Sequence, residues 1–115
     1  MAPQAPGDRP LLDKPFLSAL PLADLAPGTM RCVTLADETV LLVHTKDGAV
    51  HALHDVCTHA YANMHEGRLR GHRLICPLHG ASFDVRNGAV LGAPATQPLR
   101  TYPVRVVDGQ VEVQV

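Results

Sequence analysis

Arg68-Leu69-Arg70-Gly71-His72-Arg73-Leu74-Ile75, running directly into Cys76-Pro77-Leu78-His79-Gly80, is the stretch that decides the class of fold. Gly71-His72 between two short runs reads as a two-residue hairpin turn, with strands over Arg68–Arg70 and Arg73–Ile75. The same punctuation recurs on both sides. Asp47-Gly48 is expected to join Val40–His44 to Val50–Leu53, Asn87-Gly88 to join Ser82–Val85 to Ala89–Leu91, and Asp108-Gly109 to join Val104–Val107 to Val111–Val115. Short Val- and Leu-rich runs closed by such dipeptides describe an all-β, antiparallel domain and not alternating βα units. In Val111-Glu112-Val113-Gln114-Val115 apolar and polar residues alternate, as on a half-buried strand. The one helical turn expected lies around Ala23–Leu25, stopped by Pro27-Gly28. No internal repeat or sustained heptad is present, which excludes solenoids and coiled coils.

The 115 residues suffice for one domain. Met1–Asp13, with Pro3, Pro6 and Pro10, reads as a flexible Pro-rich tail, leaving residues 14–115 as the domain. Hydrophobic residues make up 46% but aromatics only 3%, with no Trp, so the core must rest on Val, Leu and Ala. A formal charge of −1 lacks the basic footprint of a nucleic-acid binder. No stretch reaches the roughly 18 apolar residues of a membrane span, and the Pro-rich start lacks a secretory apolar core, so the expected address is the cytoplasm. Three cysteines is an odd number, which favours metal or redox chemistry over a disulfide framework.

That chemistry has an obvious place. Cys57-Thr58-His59 and Cys76-Pro77-Leu78-His79 form two Cys/His pairs separated by sixteen residues. Within each pair the spacing suits a loop, which can turn both side chains to one point. The Arg68–Ile75 hairpin between the pairs is long enough to return the second loop beside the first. A mononuclear Cys₂His₂ zinc site is the chemical rival. Zinc fingers, however, group their cysteines together and their histidines together, whereas each loop here supplies one of each. A dinuclear cluster uses that mixed order, with histidines replacing cysteines on one iron.

Cys57-Thr58-His59 with Cys76-Pro77-Leu78-His79-Gly80 resembles the Rieske motif. The likeness continues through Glu66-Gly67, Phe83-Asp84, Asn87-Gly88, Pro94, Pro98-Leu99, Tyr102-Pro103-Val104 and Asp108-Gly109. It spans roughly Pro15 to Val115 and is strongest to the Rieske ferredoxins of multicomponent oxygenases. The resemblance implies a Rieske-like antiparallel β-sandwich with a small cluster-binding subdomain made of two loops and a hairpin. It implies one [2Fe–2S] cluster, with Cys57 and Cys76 on the buried iron, His59 and His79 on the outer iron, and Gly92–Pro98 as a covering proline loop. It also implies a monomeric electron carrier, not an enzyme, serving a flavin-dependent ferredoxin reductase and a terminal oxygenase. A small subunit of a nitrite-reductase-like complex is the alternative within redox proteins; a Zn-stabilised binding module is the alternative outside them.

Charge explains the histidines. Two thiolates and two neutral imidazoles bring an oxidised 2+ core to zero, whereas four thiolates give −2, so the mixed site accepts an electron more readily. Leu78 stands where high-potential members carry a second-loop cysteine, and Ala81 and Phe83 stand where hydroxyl donors would be. The expected potential is therefore at the low end, about −150 mV. Tyr61 and Asn63 replace residues that are often small or Pro, which bears on the loop surface. Cys32 reads as a buried structural thiol, and His44, His51 and His54 as ordinary sheet or surface histidines. His65 and His72 are expected on the surface near the cluster, with docking or proton transfer as their sharper roles. Asp84/Arg86 and Arg68/Arg70 read as solvated hairpin charges.

Overall fold

A computed structural model describes residues 14–58, 61–78 and 80–115. Eleven strands follow one another among these residues: β1 (Leu17–Pro21), β2 (Thr29–Leu35), β3 (Glu38–His44), β4 (Val50–His54), β5 (Arg68–Arg70), β6 (Arg73–Ile75), β7 (Ser82–Asp84), β8 (Val90–Gly92), β9 (Thr101–Tyr102), β10 (Val104–Val107) and β11 (Gln110–Val113). They form three sheets, in the orders β1-β11-β10, β2-β3-β4-β9 and β5-β6-β7-β8, and every pairing is antiparallel.

The β2-β3-β4-β9 sheet is the middle layer. Val40 and Leu42 of β3 pack with Leu20, Ala52, Val111 and Val113 against the first sheet. Leu41 and Val43 point the other way, into a second core with Leu53, Leu74, Phe83 and both cysteines of the two-loop pattern. All four β3 residues are fully buried. A strand covered on both faces reads as a continuous apolar run, which is why Val40–Val43 shows no alternation. The neighbouring β2 does sort by face: Met30 packs toward the second core, Val33 and Leu35 toward the first. Cys32 shares the Met30 face by strand alternation.

Each of the four expected hairpins is present. Asp108 and Gly109 both take positive φ, 52° and 76°, as a type I′ turn requires. At the Gly71-His72 turn only Gly71 is positive, at 61°, the pattern of type II′. The Arg68–Ile75 hairpin does not stand alone, because β7 and β8 extend it to four strands. One tight turn escaped the sequence reading. Ala36 and Asp37 link β2 to β3 with φ of 48° and 66°, although neither is Gly or Asn. The helical turn expected around Ala23–Leu25 is a 3-10 turn over Leu22–Asp24, and a second one, Met64–Glu66, lies outside the expectation. The second turn follows from packing: Met64 is fully buried, and the backbone N–H groups of Met64 and His65 both bond to Asp55.

Candidate metal centre

The two loops that hold the cysteines are built alike. Cys57 N–H donates to the Ala62 carbonyl at 2.9 Å, and Cys76 N–H donates to the Ala81 carbonyl at 2.7 Å, so each cysteine closes a turn to the residue five positions on. Each turn rests on a strand-like pair, Val56 with Asn63 in the first and Ile75 with Ser82 in the second. The equal construction brings the two thiols to one place. Cys57 and Cys76 are both buried, in the same apolar cluster as Ala62, Met64, Ala81 and Phe83. Burial pushes the Cys76 thiol above its usual value, the Leu78 backbone N–H bonded to its sulfur pulls the other way, and the Cys57 thiol beside it adds to the rise. A thiol such as Cys76, buried in an apolar pocket, becomes a thiolate when a metal displaces its proton.

Close backbone contact fixes the second loop. A Cβ on Gly67 would overlap the Ile75 carbonyl oxygen, one residue before Cys76, so only glycine lets the chain pass there. Beside it opens a cleft of about 350 Å³, lined by Glu66, Gly67, Arg68, Ile75, Cys76, Pro77 and Gly80. The first loop is tied instead to the segment after β8: the Thr58 hydroxyl donates to the Gln97 carbonyl at 2.8 Å, and Ala95 is buried in the shared core. Gly92–Pro98 therefore packs against the first loop. Tyr61 is fully exposed and Leu78 half-exposed, one on each loop.

His59 and His79, expected as the other two ligands, lie outside the described residues. The residues that are described fit an iron–sulfur centre in donor chemistry, with two soft sulfur ligands converging in a dry pocket that carries one backbone N–H donor. Two hydroxyls near the loops have partners of their own. Thr58 donates to Gln97, and Ser82 accepts from Arg73 Nη1 at 2.6 Å, while Ala81 and Phe83, flanking Ser82, are fully buried and carry no hydroxyl.

A sequence profile described as the Rieske [2Fe-2S] domain matches residues 16–103. The chain belongs to the Rieske [2Fe-2S] domain family. The anthranilate 1,2-dioxygenase ferredoxin subunit of Burkholderia cepacia is 50% identical over 64 residues, 56% of this chain and 59% of that protein. The ferredoxin component of the naphthalene 1,2-dioxygenase system of Pseudomonas putida is 36% identical over 98 residues, 85% of this chain and 93% of that one. Among solved structures, a chain from the complex of reduced oxygenase and oxidized ferredoxin in carbazole 1,9a-dioxygenase superposes with a TM-score of 0.82 at 33% identity, covering 89% of this chain and 94% of that one. The Rieske domain has the character of an electron-carrying ferredoxin and not of a catalyst, and it implies a [2Fe–2S] centre.

Several other sequence expectations change in the fold. Asp84/Arg86 is not a solvated pair: Asp84 is buried, and Arg86 donates to both carboxylate oxygens, at 3.0 and 2.8 Å. These hydrogen bonds hold the Asp84 carboxyl below its usual range despite burial. Arg68 and Arg70 are exposed, as expected. His44 is buried and donates to the Leu25 carbonyl at 2.7 Å; His54 lies 3.2 Å from the Tyr102 hydroxyl. His72 pairs with Asp47 at 3.1 Å across the boundary between the second and third sheets.

Cys32 is only partly buried and is not isolated. The fully buried Asp55 lies beside it, within 4.8 Å, and burial together with that carboxylate pushes its thiol up to about 11. Asp55 in turn accepts the His65 backbone N–H at 2.8 Å and the His65 ring Nδ1–H at 2.6 Å. Asp55 and its two partners were missed because residues 32, 55 and 65 meet only through the β2-β3-β4 register and the Met64–Glu66 turn.

Proposed function

We propose that the chain carries single electrons through one [2Fe–2S] cluster, with Cys57 and Cys76 on the inner iron and His59 and His79 on the outer one. Its donor is a flavin-dependent ferredoxin reductase and its acceptor a terminal oxygenase. The carrier acts as a cytoplasmic monomer in which residues 14–115 are the domain and 1–13 a tail. The observation that carries this reading is the convergence of two buried thiols at the closed ends of two similarly built loops. Support for the acceptor comes from the oxygenase complex that contains the similar carbazole-system ferredoxin. No helix among the described residues is long and apolar enough to cross a membrane.

When bound, the cluster supplies a centre that accepts and releases one electron at a time. The protein residues hold it and set its terms. Met64, Ala81 and Phe83 exclude water from the cysteine side. The lack of hydroxyls at Ala81 and Phe83 leaves the sulfurs fewer donors and keeps the potential low, about −150 mV. Tyr61 and Leu78, exposed on the two loops, offer small apolar anchors beside the cluster. Redox encounters use interfaces of this modest kind, under about 1,200 Å².

The test is a stopped-flow experiment with the reductase and oxygenase of a Rieske dioxygenase system. The oxidised protein should be reduced by NADH only through the reductase, and the reduced protein should be reoxidised by the oxygenase with a second-order rate that Tyr61→Ser lowers. Reduction that the oxygenase never reverses would overturn the assignment of the acceptor, and a midpoint above zero would overturn the low potential.

A further inference from the structure

We propose that Cys32, Asp55 and His65 form a second metal site, separate from the two-loop centre, that takes one zinc-class divalent cation. The Cys32 sulfur, an Asp55 carboxylate oxygen and a His65 ring nitrogen all lie within 4.8 Å of one another. In tetrahedral zinc sites, ligand distances of about 2.0 to 2.3 Å put neighbouring donor atoms between about 3 and 4 Å apart, so the Asp55–His65 pair, now at 2.6 Å, opens slightly while the trio as a whole closes on the ion. The donor set, one thiolate, one carboxylate and one imidazole, is the mixture that zinc accepts and that magnesium or calcium does not.

The surroundings favour a cation. Asp55 has no exposed surface, yet the groups beside it are donors that need not be charged: the His65 backbone and ring N–H groups and the Cys32 thiol. The same carboxylate is one reason the Cys32 thiol holds its proton so tightly. A divalent ion relieves both effects at once. The Cys32 thiol proton leaves to solvent, His65 moves its ring proton from Nδ1 to Nε2 so that Nδ1 can coordinate, and Asp55 binds through its carboxylate. One proton is released, and two anionic ligands balance the 2+ charge. Asp55 Oδ1 keeps the His65 backbone N–H, which holds the carboxylate in place. His65 is about one-third exposed, so the ion has a path from solvent and room for a water as fourth ligand. The occupied site would clamp β2 to the segment that leads into the first ligand loop.

The experiment uses the cluster-loaded protein, titrated with zinc chloride against a competing zinc indicator while the cluster's visible absorption is followed. The expected result is one zinc per chain, with the absorption unchanged and a higher melting temperature. Cys32→Ser and His65→Gln should each weaken binding more than about tenfold, while His72→Gln, at the exposed Asp47 pair, should leave it unchanged. X-ray absorption at the zinc edge should show one sulfur at about 2.3 Å with oxygen and nitrogen at about 2.0 to 2.2 Å. The two variants act independently, so a folding defect in one leaves the other decisive. Absence of a bound equivalent, wild-type affinity in both variants, or zinc uptake only as iron is lost would overturn the site.

Discussion

The two faces of β3 support different kinds of core. On one face, Val40 and Leu42 meet β1 and β11 in a sandwich of aliphatic side chains. On the other, Leu41 and Val43 meet a core that includes Cys57 and Cys76 and is roofed by three short hairpin-and-loop segments. The first face is a closed aliphatic core between two sheets that needs no ligand. The second has strands of only three residues in its outer sheet, which are marginal without further help. That difference would give a metal held by Cys57 and Cys76 a structural part as well as an electronic one, since binding to the folded state alone adds directly to stability.

Removing a ligand separates the two faces most sharply. Cys57→Ser should abolish cluster retention and expose β5 to β8 to rapid amide exchange, while amides of β1, β10 and β11 stay protected; uniform loss of protection would contradict the division. Next come the paired truncations Leu41→Ala and Leu42→Ala. Both residues are fully buried, so each should cost about 3 kcal/mol in chemical denaturation. Only Leu41→Ala should also speed bleaching of the visible absorption, because only Leu41 faces the cysteines. Gly67→Ala should cost about 2 kcal/mol through its overlap with the Ile75 carbonyl and should likewise speed bleaching.

A pH effect falls on the sandwich side. Burial first, then Glu38, pushes the Tyr102 hydroxyl up from 10 to about 12. The folded protein therefore holds this proton more tightly than the unfolded chain. Stability from this source is complete below pH 10 and is lost as pH rises through 12. Tyr102→Phe should remove that part of the alkaline slope in thermal melts, and an unchanged slope would assign the slope to other groups. The smallest expected effect lies at the turn between β2 and β3. Ala36 sits at a φ of 48°, which is unfavourable for a residue with a Cβ, so Ala36→Gly should stabilise by about 0.5 to 1 kcal/mol without touching the cluster.

What the sequence disclosed follows the same division. Turns that depend on glycine, such as Gly71-His72 and Asp108-Gly109, were legible because positive φ selects a residue type. Ala36-Asp37 was not, because the β2-β3 pairing imposes that turn on residues that do not advertise it. The meeting of Cys57 and Cys76 could be anticipated from spacing, since each Cys/His pair is nearly contiguous in sequence. Asp55 and its contacts with Cys32 and His65 could not, because three distant segments meet only after the strands pair. Asp84 looked solvated from its neighbours in sequence, and only the β6-β7-β8 packing shows it buried against Arg86. Local chemistry was readable; partners supplied by register were not.

The central claim is that the two loops hold one [2Fe–2S] cluster through Cys57, His59, Cys76 and His79. Its most direct test is an electron paramagnetic resonance spectrum of the purified protein before and after dithionite, with iron, sulfide and zinc assayed on the same sample. Two irons and two sulfides per chain, with a rhombic signal of low average g appearing only on reduction and lost in His59→Ala and His79→Ala, is the predicted result. A protein that stays colourless after reconstitution with iron and sulfide, and that binds zinc through Cys57 and Cys76, would contradict it.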